Sequence, residues 1–365
     1  MRSPALRHVL THLITPLLMC LGMGLAYMGA FVHPEPNHMP VAVVGAGPEA
    51  KVLAQTIKDS AGDKLDVRTV PTRAAAVDLL KSRTVTGAYV PNAKAPELIV
   101  ASAASDMDAT AVEKVFTPVA AEQGVPLKVT DVAEPVADDP TGQGLFFLLI
   151  AVSIGSYASV AALGAAGAAL PMRIRALLAL GVSAVVSGIG AFLAGPVFHL
   201  AHHDLAGVWG MAWLYSAGIL LIGVGLHTFL KRWTTLTMMV LFVMLNFTSS
   251  GGLFRPELQN GLFGTLHAFW NGAGFVEGVR SLLYFGSDGL TRNVWTLAVW
   301  LLAGLAVTAI AAAYERTKAT PAEAPAAAAS VAVPDSPAEL AELVEEAEAE
   351  KAQEAEEETA EAVGV

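Results

Sequence analysis

"MPVAVVGAGPEAKVLAQ", Met39 to Gln55, joins a short apolar run to a turn carrying Gly45 and Gly47 and then to the start of an amphipathic helix. A strand that passes through glycines into a helix opens an α/β unit. The text that follows keeps the alternation. "LDVRTV" reads as a strand, "TRAAAVDLLKSR" as a helix, "GAYVP" and "ELIVAS" as two strands, "ATAVEKVFTPVAAEQ" as a helix and "LKVTDV" as a last strand. Residues 33–143 are therefore expected to form one water-soluble α/β domain, a normal size for an independent core.

The glycine turn raises the question of a dinucleotide. Such a site uses G-x-G-x-x-G/A after the strand and an acid at the end of the second strand for the ribose. Gly45, Gly47 and Ala50 meet the first condition loosely, but the second strand ends in "RTVPT" without an acid. The turn is expected to be structural, and no cofactor is assigned.

On both sides of this domain the texture is apolar. Of the 365 residues 54% are hydrophobic and only 15% charged, with a mean hydropathy of +0.54. Soluble domains carry nearer a quarter of their residues as charges. "LITPLLMCLGMGLAYMGAFV", Leu13 to Val32, has no charge over the length a helix needs to cross a bilayer. It reads as a retained membrane helix rather than a signal peptide, being long for a signal core and lacking a small-residue cleavage pair near its end. Residues 1–12 precede it. After residue 143 come five more apolar stretches, ending near Pro171, His199, Lys231, Arg255 and Glu315. The fold class expected is an α-helical integral membrane protein with six transmembrane helices and an extracytoplasmic α/β domain between the first and second. Residues 144–314 form its five-helix part, with a broken or re-entrant segment near 254–290.

Charge sets the orientation, because short cytoplasmic loops are enriched in Lys and Arg. Arg2, Arg7, Arg173, Arg175, Lys231, Arg232, Arg316 and Lys318 fall on one side if both termini are cytoplasmic, while the opposite loop "HLAHHD" carries neither residue. Arg255, Arg280 and Arg292 run against this bias. The placement expected is a bacterial plasma membrane, multi-pass, with residues 33–143 outside. The net charge of −11 belongs to the tail. Of 33 acids and 22 bases, 14 and 3 lie from Glu315 onward, leaving 19 of each before it. A neutral body offers no basic surface to nucleic acid. Within residues 315–365 a Pro/Ala linker leads to "SPAELAELVEEAEAEKAQEAEEETAEA", where Ser336 and Glu339 have capping-box spacing. That stretch reads as a solvated, partly disordered acidic helix.

Lone Cys20 excludes an internal disulfide. His199, His202, His203 and Asp204 share one loop, which reads as polar edging rather than a metal site. Trp209, Trp213, Trp233, Trp270 and Trp295 lie near span ends or the broken segment, as an aromatic belt would place them. Small residues in "GAAGAA" and "SGIGAFLAG" read as close helix contacts. No Ser-His-Asp or paired-carboxylate set emerges in the membrane part, so an enzyme is not expected.

The order of these parts resembles a family. "MPVAVV" directly after a first membrane helix, and later "GAYVP" (Gly87, Ala88, Tyr89, Val90, Pro91), are similar to the outer domain of ABC type 2 exporter permeases and of the related phage infection protein (Pip-like) membrane proteins. In "NFTSSGGLFRPELQNGLFGTLHAFWNGAGFVEGVRSLLYFG", Ser250, Gly251, Gly252, Phe254 and Pro256 resemble the start of their glycine-broken outer segment. Glu277, Arg280, Tyr284, Phe285 and Gly286 resemble its end. The resemblance covers Leu13 to Tyr314 and implies a permease subunit of an exporter, in a homodimer or hetero-oligomer; the spans carry few polar residues, so a lipidic or amphiphilic substrate is expected. The chain has no G-x-x-x-x-G-K-[ST] loop, so the resemblance also implies a separate ATP-binding subunit. The Pip-like alternative is a surface receptor or scaffold without an ATPase. Partners beyond the lipid bilayer rest on the resemblance alone. From the residues themselves, Glu277 and Arg280 stand three apart and so share a helix face. Ionisable groups at membrane depth are functional candidates. The candidate segment comprises Asn246, Ser250, Gly251, Gly252, Pro256, Asn271, Glu277 and Arg280.

Overall fold

The computed structural model describes residues 4–167 and 169–318. The linker and acidic stretch expected beyond residue 318 lie outside the described residues. The chain is mostly helical around one small sheet.

Helix α1, Pro4–Phe31, leads within a few residues to strand β1, Met39–Val44. There follow α2 (Pro48–Ala61), β2 (Leu65–Val70), α3 (Arg73–Lys81), β3 (Gly87–Val90), β4 (Glu97–Val100), α4 (Asp106–Ala121) and β5 (Lys128–Asp131). Every strand and helix read from residues 33–143 is present, in order. The sheet runs β2-β1-β3-β4-β5. All neighbours are parallel except β3 and β4. A parallel neighbour needs a crossover of a dozen or more residues, and the six residues 91–96 are too few. Asn92 tightens that link by accepting from the backbone N–H of Lys94 and Ala95, at 2.9 and 3.2 Å.

Local signals set the helix starts. Thr72 caps α3 by accepting from Ala75 N, and Ser105 caps α4 by accepting from Asp108 N. Helix α2 has Pro48 in its first turn and buries Ala50, Ala54 and Ile57, one stripe at helical spacing. Gly45 is explained by close approach. A Cβ there would sit 2.6 Å from the Cβ of Ala50, while its N–H donates to Val70 O at 2.8 Å. The turn lets β1 enter α2 at short range. Tyr89 and Phe116, both fully buried, stack at 5.0 Å in the core beside the sheet.

Five stretches are long and apolar enough to cross a membrane: Leu13–Phe31, Gly144–Ala166, Met172–Val197, Leu205–Ser249 and Leu290–Lys318. They contain α5 (Gly144–Ala166), α6 (Met172–Phe192), α7 (Leu205–Leu230) and α12 (Leu290–Lys318). The fourth stretch is not straight. After α7 the backbone of Lys231 takes φ +46°, a single turn spans Lys231–Trp233, and the chain resumes as α8 (Thr234–Met239), a π-helical turn and α9 (Leu245–Ser249). Asn246 donates to the hydroxyl of Tyr215, and a Cβ on Gly223 would lie 3.0 Å from Met238 Cε. Residue 215 against 246 and 223 against 238 are antiparallel contacts, so the chain folds back at 231–233. The second limb is 16 residues long and stops at Ser249, short of the expected end near residue 254.

Apolar side chains on the outside of these helices need an apolar surrounding. Leu17, Leu21, Leu25, Phe147, Leu177, Val185, Ile189, Leu302 and Ile310 are each more than half exposed. Small residues carry the helix contacts as expected. A Cβ on Gly155 would meet Val186, and one on Gly190 would meet Val152. A further set joins α7 to α12, where a Cβ on Gly225 would lie 2.9 Å from the backbone of Val307 and Thr308. Trp209, Trp233 and Trp295 are exposed, fitting a belt. Trp270 does not fit one. It is buried against Trp300, and its indole N–H donates to Leu241 O at 3.0 Å.

Candidate functional site

Past Ser249 the helix ends, and the chain runs irregularly to a turn at Pro256–Leu258. It then forms α10 (Gly261–His267) and α11 (Asn271–Tyr284). Twelve of the fourteen residues of α11 are buried, Glu277 and Arg280 among them. At 1.5 Å per residue it is about 21 Å long, too short to span. Burial on all sides places it inside protein, the setting in which broken backbone at membrane depth is tolerated. It packs on α7, α5 and α9.

The sequence-predicted residues come together here. Asn246 lies under the start of α11, where a Cβ on Gly272 would stand 2.1 Å from its side-chain oxygen. Its amide donates to Tyr215, whose hydroxyl is shared with Ser153, a buried polar chain across three helices. Asn271 is buried with neither amide atom partnered, and Ser250 accepts from Gly252 N at 3.1 Å. Gly251 has φ +71°, and a Cβ there would press on His267 at 2.6 Å and approach Glu277 at 3.4 Å. Pro256 opens the short turn before α10.

Glu277 is the hub. It pairs with Arg280 on its own helix, as the spacing predicts, and with Arg83 of the α/β domain at 2.9 Å. Arg83 also donates to Ser281 Oγ at 2.6 Å and to Asp288 O at 2.9 Å, and it lies over the ring of Phe285. Arg280 donates onward to Gly251 O at 3.2 Å. The side chains of Arg83, Glu277 and Arg280 are 8, 10 and 3% exposed, so the network is buried. Arg83 has φ +56° just past the Ser82 cap of α3, and its side chain reaches α11.

A second layer lies beside it. Arg255 and Glu257 pair at 3.5 Å, and His267 contacts Ser249 O at 2.9 Å. Asp108, in the first turn of α4, is 2% exposed with no hydrogen bond to its carboxylate. Burial, and then the nearby Glu257, push its carboxyl up to about 7, against the pull of Arg255 and Arg280. A cavity of about 170 Å³ opens between the layers, lined by Arg83, Arg255, His267, Glu277, Arg292 and Asn293. Two of its three guanidiniums are already matched, Arg83 by Glu277 and Arg255 by Glu257, and Arg292 is the third.

The α/β domain and the broken segment share their cores. Phe254 and Leu258 join the cluster of Met39, Leu98 and Phe116 on one face of the sheet, and Phe285 joins that of Leu80 and Ile99 on the other. Asn37 N donates to Glu257 O at 2.9 Å. The domain is thus held from both faces by residues more than a hundred positions away.

Sequence reading missed Arg83, Asp108 and Arg255 as members of this site. Arg83 and Asp108 stand at the ends of ordinary amphipathic helices. For Arg255 a signal existed, since with Arg280 and Arg292 it runs against the charge bias. No family model, no curated protein and no solved structure matches the chain.

Raising a folded-state carboxyl from its usual value near 4 means that the folded protein holds a proton the unfolded chain has lost. Stability from Asp108 is therefore full below about pH 4 and is lost as pH rises to about 7. Asp108→Asn is expected to gain on the order of 2–4 kcal/mol over wild type at pH 8 and nothing at pH 4. Unfolding measured in detergent at both pH values checks this. An equal effect at the two would show that Asp108 does not titrate in this window.

Proposed function

We propose that this chain is the membrane permease subunit of an ABC type 2-like exporter, working in an oligomer with a separate ATP-binding subunit. The observation that supports it most is α11, a buried, charged, non-spanning helix tied by Arg83–Glu277 to a soluble α/β domain. A domain that grips an inserted helix can transmit its motion to the helix bundle. Counting the two limbs of Leu205–Ser249 separately, the reading has six crossings in a bacterial plasma membrane, both termini cytoplasmic and residues 33–143 outside. The substrate class is lipidic or amphiphilic.

The second reading, a receptor or scaffold without an ATPase, is favoured by one feature. Among the described residues the chain between α5 and α6 and the joint at 231–233 are too short to offer an ATPase a docking helix.

Affinity purification of the full chain in mild detergent from its native membrane separates the two. The permease reading expects a co-purifying ATP-binding subunit in fixed ratio, with ATP hydrolysis that falls severalfold in Glu277→Gln. A chain that purifies without ATPase activity favours the scaffold. Orientation is read from Asp59→Cys in a Cys20→Ser background, with residue 59 exposed on α2. It is expected to react with a membrane-impermeant maleimide on intact cells, and labelling only after lysis would reverse the topology.

A further inference from the structure

The far end of the bundle holds a larger pocket that neither the charge network nor the α/β domain uses. It encloses about 620 Å³ between α5, α7, α8 and α12, within the range of small-molecule sites. Its floor is apolar, from Val160, Ala161 and Met238, and its rim is basic, from Arg175, Lys231 and Arg232.

Three details distinguish the rim from ordinary surface charge. Arg175 is fixed, its side chain 6% exposed, paired with Glu315 and donating to Leu170 O at 3.1 Å. Glu315 is in turn held by Thr228 at 2.9 Å. Lys231 sits at the fold-back with a positive φ that a lysine rarely adopts, and such strain gathers at ligand clamps. Thr234 lines the pocket at 3% exposure with a hydroxyl that has no hydrogen-bond partner. A buried hydroxyl left unmatched is unfavourable, and a ligand oxygen in the pocket would match it.

We infer that this pocket binds the head of an anionic phospholipid, with the phosphate between Lys231, Arg232 and the Thr234 hydroxyl and the glycerol and first acyl carbons on the apolar floor. One carboxylate against three cations leaves the rim positive, and the floor suits the tail rather than a free ion. Basic pockets between membrane helices recognise anionic head groups in this way. The inference does not depend on transport or on an ATPase. A scaffold would carry the same site.

Native mass spectrometry of the full-length detergent-purified protein tests it, with phosphatidylglycerol and phosphatidylcholine of identical tails as probes. Phosphatidylglycerol is expected to be retained at least tenfold better. Neutralising one rim charge is worth about 1 kcal/mol, so Lys231→Gln should weaken retention about fivefold and the Lys231→Gln/Arg232→Gln pair about 25-fold. Thr234→Val should weaken it severalfold while leaving the melting temperature of the lipid-free protein unchanged or higher. Equal retention of the two lipids overturns the inference, and so does Thr234→Val binding like wild type. Displacement of phosphatidylglycerol by excess inorganic phosphate would assign the site to a free anion instead.

Discussion

Glu277→Ala is expected to cost about 3–5 kcal/mol of stability, the range for removing one partner of a buried ion pair. The reason is what remains. Arg83 and Arg280 keep their burial, at 8 and 3% side-chain exposure, and lose the carboxylate they both pair with. Arg83 retains Ser281 Oγ and Asp288 O, and Arg280 retains Gly251 O, so some donors stay matched while the charges do not. Glu277→Gln keeps the shape and one acceptor and is expected to recover part of the loss. Arg83→Ala should cost less than Glu277→Ala, because it leaves the Glu277–Arg280 pair intact. The double variant should then cost less than the sum by about 1.5–3 kcal/mol, the coupling of neighbours in one network. Equilibrium unfolding in mixed detergent and SDS micelles gives all four corners of that cycle. A cost for Glu277→Ala below about 1 kcal/mol is the figure for a solvated surface pair, and would mean that water reaches Glu277 and that the domain is not clamped to α11.

That cycle probes the part of the molecule least legible in the sequence. Within the α/β domain the alternation of short apolar runs with amphipathic helices gave each element, since periodicity and turn residues are local. The pairing of β3 with β4 follows from a six-residue link, also local. The membrane stretches were legible by hydropathy, and the charges Lys231 and Arg232 mark the break between the two limbs of Leu205–Ser249, where the structure folds back. The fold-back depends on Lys231 taking a left-handed conformation, which no glycine announces. The broken segment was legible through Ser250, Gly251, Gly252 and Pro256, and Glu277–Arg280 through its spacing. Arg83 was not. Its partner is 194 positions away, and nothing near Arg83 separates a buried arginine from a helix-end charge.

Two of the arginines that run against the charge bias, Arg255 and Arg280, have a physical account. Arg255 pairs with Glu257 and Arg280 with Glu277 inside the protein, and Arg292 reaches Ala268 O at 3.4 Å. The bias concerns charges in short flexible loops that resist translocation. Cations neutralised within a folded segment are a different population. Likewise Phe254 reads as the end of a membrane stretch because burial in a protein core and burial in lipid select the same side chains.

Gly272→Ala tests whether the start of α11 is locked against the fold-back limb. The added methyl would stand 2.1 Å from Asn246 Oδ1 and 2.7 Å from its Cγ, far inside contact distance. Asn246 has little freedom to give. Its side chain is fully buried and held by Tyr215 and by Phe242 O at 3.4 Å. Either α11 lifts, which loosens its packing on α7 and α5, or Asn246 swings away and leaves Tyr215 with Ser153 alone. Overpacking of this kind costs about 1–3 kcal/mol, and a broken buried hydrogen bond adds about 1–3 kcal/mol. A total loss of about 2–5 kcal/mol is therefore expected on the same unfolding assay. Loss of helix propensity is not the cause, since alanine is the better helix former. The discriminating variant is Gly272→Ala with Asn246→Ala, in which the second change makes room for the first. It should be more stable than Gly272→Ala alone, a sign reversal that only direct contact produces. If Gly272→Ala matches wild type and the second change merely adds its own cost, then α11 and the limb slide past one another in the resting protein. The clamp formed by Arg83 and Glu277 would then be what sets the position of α11.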